Sequence, residues 1–398
     1  MQKMRKMKDS GIEWIGEIPE GWGIVPIRSC FDEVRTKNTD GQEQNALQFK
    51  SGNIISKTNF NANTDDYVAD TITNYTVVLP DTVMINGLNL NYDFKSLRVA
   101  LVKEKGVITS AYLAIFPDRE KIFPQYATYL FKGYETKMAF HNMGAGIRKT
   151  LGYKEFKNQP LLLPSKKEQN KISAYLDSKC SHIDIMLSKI RSSIEEYKKL
   201  KQAVITQAVT KGVRGEREMK DSGNPWFGQI PTDWKLSRVG LHFSIILGKM
   251  LCNAPLNDTY TLEPYYCAAD VHFDGVTDGE RKKMWFSPIE KDLYCVSVGD
   301  LLVVDNRYLR YLLEFLVKQG YIDVVCNKAT IPHFTKDKLS CVPFCLCPTG
   351  EQKEIANYLD AKCAEIDKLI AKKEQLIKEL ESYKKSLIYE VVTGKREV

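Results

Sequence analysis

Apolar positions in two long stretches of the chain recur at alternating steps of four and three residues. One stretch begins at Glu168 and the other at Glu351, and the spacing predicts a coiled-coil seam along each of two helices. No Pro or Gly interrupts the stretches before Gly212 and Gly394, which are typical of helix C-termini. The seam positions expected to form a helical spacer and to dock partners are Leu176, Ile183, Ile190, Tyr197, Leu359, Ile366, Leu380 and Leu387.

Each predicted helix has about 44 residues and would be ~65 Å long at 1.5 Å per residue. An apolar stripe of that length needs a cover, and the second helix of the same chain is the simplest one. Antiparallel pairing is favoured, while parallel pairing or an interface with another subunit stays open. Lys201 and Lys384 interrupt the two seams at the same place, where the apolar neighbours Leu200 and Tyr383 could turn inward instead.

The chain also contains two internal repeats. Residues 7–22 recur as residues 219–234 with 10 of 16 positions identical, at an offset of 212. Residues 168–184 recur as residues 351–367 with 10 of 17 positions identical, at an offset of 183. Because the offsets differ by 212 − 183 = 29 residues, the two halves share a frame around segments of unequal length.

The segments between the repeated blocks, residues 23–150 and 235–333, show no evident similarity to each other. Their patterns predict strands at Thr76–Ile85, Ser96–Val102, Tyr294–Val304 and Tyr321–Cys326, and a helix at Pro124–Tyr134. The predicted fold class is therefore mixed α/β (α+β), with two globular domains separated by two long antiparallel helices that form a coiled coil in a pseudo-twofold repeat. The expected domains are residues 1–165, the central helix 166–213, residues 214–349 and the C-terminal helix 350–398.

The composition adds limits rather than a function. The 398 residues are 43% hydrophobic and 27% charged, as in an ordinary globular protein with more than one core. The net charge, 57 − 50 = +7, permits a polyanionic partner without requiring one. No export signal or membrane-spanning stretch is evident, so we expect a cytoplasmic protein with free cysteines and no membrane partner.

Catalytic motifs are missing from the sequence. There is no phosphate-binding loop, no target-amine motif of an amino-methyltransferase and no zinc-hydrolase pattern. Asp118, Glu135 and Lys137 satisfy the loose pattern of metal-dependent nucleases, but residues two apart on a helix do not share a face, so surface charge is the favoured interpretation. We therefore expect no catalytic residue and no metal site. A self-contained DNA nuclease or methyltransferase, and a coiled-coil scaffold without DNA readout, remain the alternatives.

Basic and amide side chains in the dissimilar segments suit DNA. Lys and Arg neutralise phosphates, while Arg and Asn can read base edges in the major groove. The candidate DNA-binding residues are Lys50, Asn53, Arg148, Lys149, Lys282, Lys283, Arg307, Arg310 and Lys328.

The amino-acid sequence of the repeated blocks resembles that of a known protein family. The run from Lys8 to Gly11, followed by Trp14, Pro19 and Trp22, is similar to the N-terminal signature of the specificity subunits of type I restriction–modification systems. The stretch 161–169 resembles the usual lead into the conserved helix of that family, and its second copy at 344–352 is more divergent.

The resemblance implies a recognition subunit that is not itself an enzyme. Each dissimilar segment would be a target-recognition domain that reads one half of an interrupted site in double-stranded DNA. The paired helices would set the gap and dock two methyltransferase subunits, which restriction/translocase subunits join. No cofactor is then expected in this chain, since S-adenosylmethionine, ATP and Mg would be bound by the partner subunits.

Overall fold

The computed structural model describes residues 5–50, 52–57, 72–94, 97–144, 149–243, 245–246, 248–267, 270–272, 275–276, 279–295, 307–326 and 335–398. The chain divides into two compact units. The first unit contains residues 1–190 and 374–398, and the second contains residues 191–373. Each unit therefore contains one globular part and a portion of both long helices.

The first unit is built mainly from short antiparallel strands with one larger helix. Its elements are β1 (Met7–Asp9), β2 (Glu17–Pro19), β3 (Gly23–Pro26), β4 (Phe31–Glu33), β5 (Leu47–Lys50), β6 (Asn53–Ser56), β7 (Thr76–Val78), β8 (Val83–Ile85), β9 (Val99–Leu101), β10 (Gly106–Ile108), β11 (Leu113–Pro117), β12 (Pro160–Leu163), α1 (Pro124–Thr136), α2 (Ala139–Met143) and α3 (Tyr153–Phe156). A four-stranded sheet has the order β4-β11-β8-β9, and the pairs β1–β2, β3–β12, β5–β6 and β7–β10 are separate.

The second unit repeats parts of this plan. Its elements are β13 (Met219–Asp221), β14 (Gln229–Pro231), β15 (Lys235–Arg238), β16 (Thr261–Pro264), β17 (Val271–His272), β18 (Gly275–Val276), β19 (Lys283–Phe286), β20 (Pro343–Leu346), α5 (Pro288–Tyr294), α6 (Arg307–Lys318), α7 (Tyr321–Val325) and α8 (Lys336–Ser340). The antiparallel pairs are β13–β14, β15–β20, β16–β19 and β17–β18. The pairs β13–β14 and β15–β20 match β1–β2 and β3–β12 of the first unit.

Two long helices, α4 (Lys166–Lys211) and α9 (Thr349–Val392), have 46 and 44 residues. They end where the sequence predicts, since Gly212 and Gly394 follow with φ of +76° and +72°. The second unit shows their direction, because Lys201 pairs with Asp367 at 2.7 Å and the later Arg214 pairs with the earlier Glu354 at 2.7 Å. The helices are therefore antiparallel, as expected.

The predicted seam lies inside the units. Leu176, Ile183, Leu359, Ile366 and Leu387 are 5% exposed or less, and the other three predicted seam residues, Ile190, Tyr197 and Leu380, are half-buried. Since a buried side chain cannot be reached by another protein, any partner of these helices must use their outer faces.

Reciprocal ion pairs explain the interruptions of the seam. Lys201 pairs with Asp367 in the second unit, and the repeat-equivalent Lys384 pairs with Asp184 at 2.6 Å in the first. Each lysine side chain is 27% exposed. The apolar neighbours, Leu200 and Tyr383, stay exposed, so the idea that they turn inward is wrong. The carboxylate on the opposite helix holds each lysine at the seam.

Several local predictions need correction. The predicted strand at 76–85 is two strands, because the chain turns at Asp81, where φ is +76°. Residues 321–326, expected as a strand, form the helix α7. Their β-branched residues favour a strand, but Gly320 opens the helix with φ of +86° and Tyr321 packs edge-on against Trp226 at 5.5 Å.

Other local predictions held or fall outside the described residues. Helix α1 is confirmed, with Pro124 in its first turn, and β9 lies within the predicted strand 96–102. Of the strand expected at 294–304, Tyr294 ends α5 instead, and residues 296–304 lie outside the described residues. Within the described ranges, none of the helices has the length and apolar character needed to cross a bilayer. All ten cysteines are free thiols.

Candidate nucleic-acid interface and its seat on the long helices

In the first unit the repeated blocks attach the N-terminal hairpin β1–β2 to α4. The guanidinium of Arg5 pairs with the carboxylate of Glu168 and lies 5.5 Å from the centre of the Trp22 ring. Trp22 is buried, as expected of a core anchor, and it packs against Gly394 just beyond α9. The residues that the repeat preserves here therefore tie the hairpin to both long helices.

The second unit repeats the cluster with tighter burial. Arg217 pairs with Glu351, and its guanidinium lies 5.3 Å from the ring centre of Trp234. The indole Nε1 of Trp234 also donates to the Glu351 carboxylate at 3.2 Å. Glu351 is fully buried, so its charge depends on these donors.

Helix α1 contacts α4 through side-chain hydrogen bonds to Asp177. The carboxylate of Asp177 accepts hydrogen bonds from the Tyr129 hydroxyl at 2.7 Å and from the Gln125 amide at 2.6 Å. A second tyrosine, Tyr126, donates to the main-chain carbonyl of Leu162 in β12 at 3.1 Å. Burial and the hydrogen bond to Asp177 raise the pKa of Tyr129 well above its usual range. The repeated Tyr-Leu-Asp sequence, residues 175–177 in this unit, thus supplies the acceptor of the contact, and α1 supplies the donors.

Helix α6 makes the same contact in the second unit. Asp360 accepts from the Tyr311 hydroxyl at 2.9 Å and pairs with Arg307 at 2.6 Å, while Tyr308 donates to the Cys345 carbonyl of β20 at 2.9 Å. Positions 126 and 308 differ by 182, so α1 and α6 are equivalent. The expectation that the two segments lack similarity is wrong for these helices, and the shared pattern Tyr-x-x-Tyr-Leu was the signal that could have found them.

Two predicted DNA-binding residues, Arg307 and Arg310, lie on α6. Arg307 occupies the place of Gln125 beside an aspartate of a long helix. Arg310 is half-buried, and its guanidinium lies 4.7 Å from the Tyr311 ring centre. Its Nε is buried and has no hydrogen-bond partner in the described part of the chain. Both arginines thus lie next to the contact between Tyr311 of α6 and Asp360 of α9.

Two further candidates of the second unit, Lys282 and Lys283, are exposed. Lys282 and Lys283 lie at the start of β19, where Lys283 is opposite Pro264 of β16. The Lys282 carbonyl accepts from the amide of Tyr265 at 3.0 Å, which fixes the main chain there. The structure therefore places Lys283 in β19, Lys282 directly before it, and the two arginines on α6. Lys328 lies outside the described residues.

In the first unit, two candidates face each other at the end of the β5–β6 hairpin. Lys50 and Asn53 are opposed across the pair, and both are exposed. The turn between them has Gly52 at φ of +72°, and a Cβ there would lie 2.9 Å from the Cβ of Leu97. The hairpin end therefore abuts the loop that joins β8 to β9, described for residues 86–94 and 97–98 and called here the β8–β9 loop.

The third candidate lies beside the same loop. The amide of Leu90 donates to the carbonyl of Lys149 at 3.2 Å, and the amide of Leu151 donates to the carbonyl of Gly87 at 2.9 Å. Lys149 is exposed. The structure thus brings Lys149 and the hairpin end carrying Lys50 and Asn53 to one loop, whereas Arg148 lies outside the described residues.

A buried arginine organises the β8–β9 loop. Arg98 is 1% exposed, and its Nη1 donates to the carbonyls of Asn86 at 2.9 Å and Leu88 at 2.8 Å. Its Nη2 donates to the carbonyl of Asp93, whose carboxylate lies 3.8 Å away. Three carbonyls and one carboxylate thus compensate the buried charge and fix the loop. Nothing in the sequence singles out Arg98 for this task.

The nuclease-like pattern is dispersed in the structure. Asp118 pairs with Lys121 at 2.8 Å, and the Lys137 ammonium lies 4.6 Å from the Tyr389 ring centre. Glu135 is half-buried and accepts from the main-chain amide of Arg98, so the surface role expected for it is wrong. Burial raises the pKa of Glu135 to about 7. In the described part of the chain, no group of His, Cys, Asp and Glu could hold a metal ion.

Comparisons with known proteins agree with the resemblance seen in the sequence. No family model matches the chain. It is 24% identical over 420 residues to a putative type I restriction enzyme MjaX specificity subunit of Methanocaldococcus jannaschii, covering 96% of this chain and 95% of the relative. It is 23% identical over 235 residues to the type I restriction enzyme MjaVIII specificity subunit of the same organism, covering 58% of this chain and 51% of the relative.

The fold is similar to that of a solved structure. A chain from a study of complex assembly and conformational transition of the type I R-M system superposes with a TM-score of 0.63 at 16% identity. The match covers 95% of this chain and 99% of that chain. The mixed α/β fold with two long antiparallel helices is therefore shared with a known architecture.

Proposed function

We propose that this chain, which is similar over nearly its whole length to type I restriction enzyme specificity subunits, is the DNA-recognition subunit of a type I restriction–modification complex. Each globular part would read one half of an interrupted site in double-stranded DNA. The chain would supply recognition and leave methylation and cleavage to other subunits.

One observation supports the proposal most strongly: equivalent contacts with the long helices, at Asp177 and Asp360, position surfaces that differ between the two units. Asp177 and Asp360 each accept from a tyrosine and from the side chain four residues before that tyrosine, Gln125 in one unit and Arg307 in the other. The loops beyond α1 and α6 nevertheless share no sequence pattern. A subunit that reads two different half-sites needs this combination, since a constant frame fixes position while variable surfaces carry the readout. A scaffold without DNA readout has no use for two unlike surfaces.

The DNA-facing side would include the exposed candidates Lys50, Asn53 and Lys149 in the first unit, and Lys282 and Lys283 in the second. The lysines suit phosphates and Asn53 suits an adenine edge. Arg307 would contribute less than expected from sequence, because Asp360 already holds its guanidinium.

The long helices would set the interval between half-sites and dock two methyltransferase subunits, with restriction/translocase subunits joining the assembly. Docking would use the outer faces, where Ile185 and Met186 of α4 are exposed. S-adenosylmethionine, ATP and Mg²⁺ would be bound by those partner subunits, which would supply the chemistry.

The direct test is to express the chain with its methyltransferase subunit in a host that lacks both, and to map methylated adenines across the genome. The expected result is one bipartite motif with a fixed interval, absent when either protein is omitted. Methylation or cleavage by the purified chain alone would favour the self-contained enzyme. A complex with no sequence preference would favour the scaffold.

A further inference from the structure

Two large aromatic side chains stand exposed on the β8–β9 loop. Tyr92 is 74% exposed and Phe94 is 58% exposed. Neighbouring exposed apolar side chains mark surfaces that bind something more often than isolated ones do. A loop that only joins two strands of a sheet would gain nothing from them.

The main chain beneath these aromatics is fixed from within the unit. Besides the three carbonyls held by Arg98, the loop is held by the buried side chain of Leu90, which packs against Gly144. A Cβ at Gly144 would lie 2.7 Å from the Leu90 Cδ1, so the two segments are in close contact. These contacts hold the main chain that carries the exposed residues, which lowers the entropy lost on binding.

Phe94 is further oriented by a ring stack. Its ring lies 5.1 Å from the imidazole of His141, with an angle of 11° between the planes. The Nε2 of His141 is 3.3 Å from the carbonyl of Asp93, which is one of the carbonyls that Arg98 holds. The stack leaves much of Phe94 accessible while limiting its rotamers.

The charges around the loop suit a polyanion. Lys149 lies beside Leu90, and Lys50 lies beside the Gly52 turn that abuts Leu97. The acidic group of the loop, Asp93, faces the Arg98 guanidinium. Exposed lysines therefore lie next to the loop at Leu90 and at Leu97, on either side of the two aromatics in sequence, as expected for a base contact flanked by phosphate contacts.

We propose that the β8–β9 loop is the base-reading element of the first unit, with Tyr92 and Phe94 in contact with base pairs in a groove of double-stranded DNA. Arg98 acts as a positioning residue that holds the loop in its reading conformation. This inference rests on the proposed function and adds to it the residues that determine one half-site.

The test uses the complete complex of this chain with its methyltransferase subunit, and duplexes carrying every single base-pair substitution in the methylated motif. Tyr92→Ala and Phe94→Ala are compared with Leu79→Ala, an exposed apolar residue in the turn at the opposite end of β8. The aromatic variants should bind the native duplex about 10- to 100-fold more weakly and lose discrimination at one or two adjacent positions of one half-site. Leu79→Ala should match the unaltered complex.

Each outcome decides between explanations. Unchanged affinity and unchanged discrimination in both aromatic variants would overturn this inference alone. Loss of methyltransferase binding with unchanged readout per complex would assign the surface to a protein partner and also overturn it. If the unaltered complex has no defined site, the proposed function itself is wrong. Thermal unfolding of each variant shows whether the fold is intact, and Tyr92→Phe separates the hydroxyl from the ring.

Discussion

Helices α1 and α6 show what the two units keep and what they change. The tyrosine hydrogen bonds to the long helices are kept, with Tyr129 and Tyr311 donating to equivalent aspartates. Other positions of the helix differ at the offset of 182: Lys132 corresponds to Glu314, and Glu135 to Val317. The kept residues satisfy buried polar groups, and such groups are expensive to leave unpaired. The residues that stay the same in the two units are therefore those that hydrogen-bond to the long helices.

The same contrast continues beyond the helices. The first unit has a loop held by the buried Arg98, whereas the second has the β16–β19 pair with the exposed Lys283 at its start. Two different surfaces are thus positioned by the same kind of contact with a long helix, at Asp177 and at Asp360. Equivalent substitutions in the two units show where these contacts are alike and where they differ.

The largest difference is expected at the carboxylates that hold the N-terminal hairpins. Glu351→Gln should destabilise the second unit by about 2–3 kcal/mol, because Arg217 and Trp234 lose a fully buried charged partner. Glu168→Gln should destabilise the first unit by less than about 1 kcal/mol, since that pair is partly exposed. Hydrogen exchange in β1–β2 and β13–β14 measures both, and equal losses would contradict the difference in burial.

Removing the aspartate that accepts the tyrosine hydrogen bond should have a similar effect in the two units. Asp177→Ala and Asp360→Ala should each destabilise their own unit by about 1–2 kcal/mol, since each leaves a buried tyrosine hydroxyl unpaired. Arg307→Gln, which gives the second unit the residue of the first, should change stability by less than about 0.5 kcal/mol. Protection of α1 and α6 in hydrogen exchange provides the readout. A marked loss of DNA affinity in Arg307→Gln would return Arg307 to the DNA interface.

Glu135 should give the first unit a pH dependence. Its folded pKa of about 7 is above the ordinary value of 4.5, so the native state binds a proton that the unfolded chain does not. Stability should therefore fall as pH rises from about 4.5 to about 7 and level off above. Glu135→Gln should remove this contribution and stabilise the unit at pH 8 by on the order of 1 kcal/mol. The groups facing Glu135 are Arg98, Lys132 and Lys385.

The smallest effect concerns the reciprocal ion pairs. Double-mutant cycles on Lys201 with Asp367 and on Lys384 with Asp184 should give coupling energies of about 0.5 kcal/mol each, because both pairs are partly exposed. Equal values would confirm that the helix pair has the same structure in both units. Coupling in one pair and none in the other would show that the repeat is symmetric in sequence but not in energy.

The two long helices could be predicted from the sequence because their residues follow a regular spacing. Heptad spacing, glycine after a helix and the two repeated blocks led to α4, α9 and their direction. The equivalence of α1 and α6 was missed since only Tyr126, Tyr129 and Leu130 recur in α6, at an offset one less than that of the repeated block.

The candidate interface was only partly predictable. Residue type alone points to Lys50, Asn53 and Lys149, but their convergence on one loop depends on strand pairing between distant segments. Arg98 cannot be found in this way, because an arginine that donates to main-chain carbonyls leaves no pattern in the sequence. Helix α7 was wrongly predicted as a strand, because packing of Tyr321 against Trp226 outweighed local propensity.

The most direct test of the central claim, independent half-site readers on one frame, is an exchange of residues 23–150 for those of another specificity subunit. The hybrid is expressed with the methyltransferase subunit, and methylated adenines are mapped genome-wide. The account predicts that one half of the bipartite motif changes while the other half and the interval stay the same. A change in both halves, or in neither, would contradict it.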